Sequence, residues 1–139
     1  MNDASKPIPV ADSDSAPFWE GCREHRLLIQ RCASCKTPRF PPMRACPKCH
    51  STLSEWFEAS GRGTVYSWIV VQHPVPREVY GQDVPYVVAL IDLEEGVRMV
   101  SNIIGLDPRA IGANMPVEVT FEPGEGDVVL PKFKPREAP

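Results

Sequence analysis

Apolar and polar residues alternate, or β-branched residues cluster, in five runs of the second half of the chain. The runs occupy residues 64–72, 86–93, 97–104, 117–122 and 127–133. Short runs of this kind, bounded by Gly and Pro, predict β-strands. A tight hairpin is predicted at residues 94–96, and a short helical segment at residues 106–112. The pattern is mainly β and favours a five-stranded barrel of the OB-fold type, with an SH3-like barrel as the competing interpretation.

The first part of the chain has a different pattern. Residues 1–16 show no apolar periodicity, which predicts a flexible tail. Residues 17–24 predict a short helix that either Asp14 or Ser15 can cap. Residues 27–31, with the sequence LLIQR, predict a short lead-in strand.

The helix carries an aromatic pair and a lone cysteine on one face. Phe18 and Trp19 are adjacent, and Cys22 follows within about one helical turn. The aromatic pair is expected either to pack on the protein's own barrel or to dock on another chain. Cys22 is expected to be a small apolar filler of the core.

Four cysteines stand in two Cys-x-x-Cys pairs. Cys32 and Cys35 form the first pair, and Cys46 and Cys49 form the second, with ten residues between the pairs. Two such turns, brought together, form a closed four-sulfur site of the kind that structural Zn²⁺ prefers. Two disulfides, a redox-active pair and an iron centre are the alternatives. Four sulfur ligands leave no open coordination position, so we interpret the expected single zinc as structural.

These elements together predict five segments along the chain. They are a flexible tail at 1–16, an N-terminal helix and lead-in strand at 17–31, a zinc ribbon and link at 32–60, an OB-fold at 61–135 and a C-terminal tail at 136–139.

The composition adds limits on function and location. The 139 residues carry a net charge of −3 and no apolar run long enough for a membrane span. Five cysteines, four of them at metal spacing, and the lack of a signal-peptide core at the N-terminus lead us to expect a reducing, cytoplasmic location.

Charge is distributed unevenly along the sequence. Residues 20–50 contain seven basic and two acidic residues, whereas residues 51–139 contain seven basic and thirteen acidic residues. The zinc segment is therefore expected to form a local positive patch. Either this patch is simply a solvated face, or it is a surface for phosphates or an acidic partner.

No nucleophile–base signature is present in the sequence. His50 follows a complete set of metal ligands, and His73 lies in a long loop with no identifiable partner. We therefore expect no autonomous active site.

Several motifs, taken in order, resemble the DUF35 family. They are LLIQRCASC at residues 27–35, PRFPP at 38–42, CPKCHS at 46–51 and SGRGTVYS at 60–67. The resemblance extends over residues 17–135 and implies an N-terminal helical segment, a rubredoxin-like zinc ribbon and a C-terminal OB-fold. Lys36 departs from the family, which often has Gly after the second cysteine. A positive φ at Lys36 would cost about 1 kcal/mol.

The resemblance also implies a function. DUF35 proteins usually accompany thiolase-like enzymes, and sometimes hydratases of the hot-dog fold, as non-catalytic subunits that support the acyl-CoA site of the partner. On this hypothesis Phe18 and Trp19 offer docking area, and Arg39, Arg44 and Lys48 contact the partner or the phosphates of CoA.

Two hypotheses from other classes remain open at this point. Zinc ribbons and OB-folds both occur in nucleic-acid-binding proteins, but the acidic balance of residues 51–139 disfavours binding to a phosphate backbone. A free-standing enzyme or redox protein is disfavoured by the closed four-sulfur site. The acyl group, the direction of the partner's reaction and the stoichiometry are not visible in the sequence.

Overall fold

The computed structural model of the chain describes residues 5–137. Parts of the two expected tails, residues 1–4 and 138–139, lie outside this range. The elements in chain order are α1 Ala16–Arg23, β1 Leu28–Cys32, β2 Pro38–Arg39, β3 Ser54–Glu58, β4 Arg62–Val71, α2 Arg77–Tyr80, β5 Tyr86–Leu93, β6 Arg98–Ile103, a 3₁₀ turn Pro108–Ala110, β7 Pro116–Pro123 and β8 Val129–Pro135.

Strands β4 to β8 form a closed barrel in the order β4-β5-β6-β8-β7. All neighbouring pairs are antiparallel except β6 and β8, which meet in parallel at Ile103 and Phe133. The fold is thus mainly β with a five-stranded OB-type barrel, as the strand pattern predicts. The five predicted strands are all present, with ends that differ by up to two residues from the expected positions.

The barrel core is formed by inward-facing positions that alternate along the strands. On β5, Val87, Ala89, Ile91 and Leu93 are buried, and the residues between them face outward. Gly63 on β4 allows a close approach of β4 to β5, because a Cβ atom there would lie 2.5 Å from the carbonyl oxygen of Asp92.

A second sheet contains the metal-binding loops and has the order β2-β1-β3. Strand β3 corrects the sequence interpretation, which treated residues 53–58 as a link. β3 pairs with β1 along its whole length, from Leu28 opposite Glu58 to Cys32 opposite Ser54. Its acidic residues made it resemble a connector, but they are neutralised across the sheet by arginines that precede or lie on β1.

Helix α1 connects the ribbon sheet to the barrel. It begins one residue earlier than expected, with Ser15 at the N-cap position. The Ser15 side chain makes no capping bond to the helix. Instead its Oγ accepts from the backbone N–H of Asp12, while the N–H of Ser15 donates to Asp12 Oδ1 at 2.8 Å. Phe18 and Cys22 of the helix lie in the same buried cluster as the barrel core, so α1, the ribbon and the barrel share one hydrophobic core.

Candidate metal centre and seam groove

The first cysteine loop is held by backbone hydrogen bonds around Cys32. The N–H of Cys32 donates to the carbonyl of Thr37, and the N–H of Lys36 donates to the carbonyl of Cys32, both at 3.0 Å. The N–H of Cys35 points to Cys32 Sγ at 3.4 Å. Lys36 has a φ of 65°, as the comparison with the family's usual glycine predicted. The loop therefore turns back on itself and presents both sulfurs to one side.

The second loop repeats this geometry fourteen positions later in the sequence. The N–H of Cys46 donates to the carbonyl of Ser51 at 2.9 Å, and the N–H of His50 donates to the carbonyl of Cys46 at 2.8 Å. The N–H of Lys48 points to Cys46 Sγ at 3.4 Å. His50 has a φ of 67°, which gives it the same conformational role as Lys36. His50 is thus a turn residue, consistent with the expectation that it is not a ligand.

The two loops bring the four cysteine sulfurs together. The sulfurs of Cys32, Cys35, Cys46 and Cys49 all lie within 4.8 Å of one another, and two of the pairs are separated by 3.5 and 3.7 Å. A tetrahedral zinc site with Zn–S bonds of about 2.3 Å requires sulfur–sulfur separations of about 3.8 Å. The donor set therefore fits one structural Zn²⁺. The disulfide alternative is wrong, since all four cysteines are free.

Hydrogen bonds favour the ionised form of two of the thiols, whereas the three neighbouring cysteines, acting against a hydrogen bond from the Ser51 backbone, raise the pKa of Cys49 to about 11. The hydrogen-bond contact between Cys35 Sγ and Thr37 Oγ1, 3.2 Å apart, together with the Thr37 backbone lowers the pKa of Cys35 to about 6. The backbone N–H of Cys35 lowers the pKa of Cys32. Metal binding requires thiolates, so hydrogen bonds that stabilise the charged form favour the metal-bound site.

The expected positive patch around the metal loops is largely neutralised. Glu55 on β3 accepts hydrogen bonds from Arg31 and from Lys36, the latter at 2.7 Å. Both hydrogen bonds lower the pKa of Glu55, and the bond from Lys36 has the larger effect. Arg23 and Arg26 are also ion-paired. Among the basic residues of segment 20–50, which the structure describes in full, Arg44 and Lys48 are exposed and form no ion pair, so they are the cations that remain around the metal loops.

Arg39 does not occupy the position that the contact hypothesis requires. Its side chain is only 5% exposed, and its Nη2 donates to the carbonyl of Met43 at 2.9 Å. Gln30 Oε1 accepts from the N–H of Met43 at 2.8 Å, so both buried polar side chains hold the loop between the cysteine pairs. The Nε and Nη1 atoms of Arg39 are buried and have no hydrogen-bond partner in the described part of the chain. The expected surface contact of Arg39 is therefore corrected to a role inside the ribbon.

The aromatic pair on α1 is divided between the core and the surface. Phe18 is 4% exposed and packs edge-on against Trp19 and Phe40, with ring centroids 5.1 and 5.6 Å away. Phe18 thus belongs to the protein's own core, and its expected docking role is corrected accordingly. Trp19 remains half-buried and accessible. Phe40 lies at the seam between ribbon and barrel.

A groove lies where the barrel closes least completely. β6 and β8 share one paired position, and Ser101 Oγ donates to the carbonyl of Pro131 at 2.8 Å in place of a longer ladder. The resulting seam groove has a volume of about 240 Å³. It is lined by Phe18, Trp19, Phe40, Met99, Val100, Ser101, Asn102, Leu130, Pro131 and Lys132. Sequence reasoning missed this groove because its walls come from α1, the ribbon loop and two barrel strands.

A larger cavity lies next to it. It has a volume of about 580 Å³ and is bordered by Tyr80, Tyr86 and Asn102 together with the N-terminal segment. Lys6 of that segment forms an ion pair with Asp83 at 2.8 Å across the rim, and this pairing raises the pKa of Lys6. The cavity is therefore partly covered by the chain's own N-terminal residues.

Other groups with catalytic potential are separated or inert. Burial raises the pKa of Cys22 to about 12, so this thiol is held in its neutral form. In the described range the three histidines form no ion pair with a carboxylate, and the ring of His25 stacks on Phe121 at 5.3 Å. No helix between residues 5 and 137 has the length and apolar character needed to cross a membrane.

Two family models match this chain. The model for "ChsH2, rubredoxin-like zinc ribbon domain" matches residues 19–54, and the model for "ChsH2, C-terminal OB-fold domain" matches residues 56–122. Together they span the metal loops and most of the barrel. This agrees with the ribbon and barrel that the structure shows.

Three similar proteins extend this comparison. A "DUF35 domain-containing scaffold protein" of Methanocaldococcus jannaschii is 39% identical over 127 residues, which cover 86% of this chain and 89% of that protein. A "Probable enoyl-CoA hydratase alpha subunit" of Thermomonospora curvata is 43% identical over 95% of this chain, but the chain spans only 40% of that protein's length. A solved structure, "Ltp2-ChsH2(DUF35) aldolase", has 43% identity and a TM-score of 0.82, covering 92% of this chain and 98% of that one.

Proposed function

We propose, because this chain belongs to the DUF35 family, that it is a non-catalytic, zinc-containing subunit of an acyl-CoA enzyme complex. The observation that carries this proposal is its likeness, along 98% of that chain, to the chain of the structure named "Ltp2-ChsH2(DUF35) aldolase". Relatives called "scaffold protein" and "alpha subunit" are named for a role within an assembly.

The metal centre supports a structural role within such a complex. All four sulfurs converge on one position, so a bound Zn²⁺ has its full set of protein ligands and no site for a substrate. The chain's own residues supply the two loops and the thiolates that hold the ion. The metal then fixes a segment with few buried side chains, as in other small metal-folded modules.

The more specific proposal is a partner of the thiolase type. This chain would support the partner's acyl-CoA site and its stability, while the partner supplies the reacting groups. Arg44 and Lys48 are the cations free to approach a CoA phosphate near such an interface, because Arg39 is buried and the remaining basic residues of the ribbon are paired.

A hydratase of the hot-dog fold is the second candidate partner. It is favoured by the name of the Thermomonospora curvata relative, a "Probable enoyl-CoA hydratase alpha subunit". Since this chain corresponds to 40% of that protein, the remaining part of the relative lies outside the comparison.

Co-purification tests the proposal. The chain is tagged and expressed together with the acyl-CoA enzymes encoded beside it, and the complex is analysed by size-exclusion chromatography with zinc determination. We expect one acyl-CoA enzyme subunit to co-elute with about one zinc per copy of this chain. A partner with thiolase activity supports the first candidate, and one with hydratase activity supports the second. Elution of the chain alone, with micromolar, salt-sensitive binding to single-stranded nucleic acid, would contradict both.

A further inference from the structure

The outer face of β4, β5 and β6 carries large apolar side chains in contact with solvent. Tyr66 is 53% exposed, Ile69 62%, Leu90 37% and Val100 51%. Leu90 lies directly opposite Val100 in the pairing of β5 with β6. Tyr66 lies in a β-bulge of β4, where the register shifts between Val65 and Ser67. We call the four residues Tyr66, Ile69, Leu90 and Val100 the outer apolar face.

The fold of the isolated chain does not require this face to be apolar. The inward positions of the same strands, such as Val87, Ile91 and Met99, already fill the barrel core. Outward positions of a solvated antiparallel sheet are ordinarily polar. A cluster of apolar side chains on such a surface is the usual feature of a protein–protein interaction site.

Charge identifies the kind of partner that fits. The charged residues beside the outer apolar face and in the seam groove are ion-paired: Arg98 forms a bidentate pair with Asp92 at 2.6 and 3.2 Å, and Lys132 of the groove pairs with Glu122 at 3.0 Å. The Arg98 guanidinium also lies over the ring of Tyr66, 3.5 Å from its centroid. The face therefore presents no unpaired charge to attract a phosphate backbone or an anionic lipid surface. Its complement is an uncharged, apolar face of a folded protein.

The seam groove continues this face at one edge. Val100 belongs to both, and Trp19 and Phe40 are among the other residues that line the groove. A groove of about 240 Å³ that takes up one large apolar side chain of a partner is the arrangement of an interface anchor.

We propose that the outer apolar face and the seam groove together bind the acyl-CoA enzyme subunit, through an uncharged apolar surface that inserts one large side chain beside Trp19. This inference rests on the proposed function, and names the surface that the partner uses.

Matched substitutions test this surface. Val100→Asp and Ile69→Asp place a charge on the face, and Val10→Asp makes the same change at a residue that is 88% exposed in the N-terminal segment. Each purified variant is checked for zinc content and unfolding midpoint, then titrated with the purified acyl-CoA enzyme subunit. Val100→Thr, which keeps the β-branched shape, replaces Val100→Asp if the latter fails to fold, and it should raise the Kd by a smaller factor because it buries a hydroxyl and no charge.

We expect the two face variants to raise the Kd at least about tenfold, because a charge is then buried without a partner, while Val10→Asp binds like the wild type. Wild-type affinity in correctly folded face variants overturns the inference and leaves the proposed function standing. Failure of the wild-type chain itself to bind overturns both. A wild-type homodimer that Val100→Asp dissociates, and that the enzyme subunit does not displace, assigns the face to a second copy and also overturns the inference.

Discussion

Removal of the metal should unfold the two cysteine loops and leave the barrel folded. The segment 33–53 contains 21 residues, and its buried side chains are those of Arg39 and Cys46. Ordering this many residues costs about 20–40 kcal/mol of backbone entropy, at about 1–2 kcal/mol per residue. Two buried side chains cannot offset that cost. Structural zinc, with an apparent binding free energy of about 10–16 kcal/mol in small zinc modules, offsets a large part of that cost.

The neighbouring strand β1 has a different source of stability. Leu27 and Ile29 are 2% and 1% exposed and belong to the same core cluster as the barrel. Burial of such side chains contributes about 1.5–3 kcal/mol each. We therefore expect β1 to stay anchored to the barrel through the side chains at its N-terminal end, and unfolding to be confined to the loops.

Hydrogen exchange measured by mass spectrometry, with and without a chelator, resolves the two regions. We expect amides of residues 33–53 to exchange at nearly unfolded rates without metal, while β4 to β8 stay protected. Cys46→Ser should reproduce this pattern, since it removes a ligand. Cys22→Ser is the matched control at an equally buried cysteine, and should retain zinc at a cost of about 1–3 kcal/mol for burying a hydroxyl. Loss of barrel protection together with the loops, or no change in the loops, would refute this reasoning.

Two further predictions concern the barrel and the ribbon sheet. Gly63→Ala should lower the free energy of unfolding by about 2 kcal/mol or more, because its Cβ would lie 2.5 Å from the carbonyl oxygen of Asp92. Gly112→Ala, with no atom within 4 Å of the added Cβ, is the control, and equal stability of the two variants in denaturant titrations would contradict the prediction. Glu55 has a lowered folded-state pKa, so its stabilising effect is complete above its ordinary pKa of 4.5 and is lost as the pH falls through the folded pKa. Glu55→Gln should therefore be less stable than wild type at neutral pH and approach it in acid, whereas a gap in unfolding midpoint that persists unchanged into acid would argue against this assignment.

The parts of the fold that follow a regular sequence pattern could be predicted. Alternation on β5, from Val87 to Leu93, reports which side chains face the barrel core. The spacing of the cysteines predicts the metal site, because each Cys-x-x-Cys turn is a local structure that forms within about six residues. The positive φ of Lys36 was also predictable, from the glycine that is common at this place in the family.

Features that depend on distant contacts were not predictable in the same way. β3 resembled a connector because Glu55 and Glu58 interrupt its apolar residues, and their arginine partners lie more than twenty positions earlier. The sequence did contain one signal for this strand. The acidic residues of 53–58 are complementary in charge to the basic residues around β1, which is consistent with two paired strands. Arg39 looked exposed because arginine usually is, yet its loop folds over it. The seam groove has no local signal at all.

The central proposal is that this chain acts within an acyl-CoA enzyme complex and has no turnover of its own. A reconstitution assay tests it most directly, by measuring acyl-CoA turnover with the purified chain alone, with the enzyme subunit alone and with both together. We predict no turnover by this chain, and a higher rate or a longer-lived activity of the enzyme subunit when the chain is present. Turnover by the chain alone, or an enzyme subunit whose rate and stability are unchanged by it, would contradict the account.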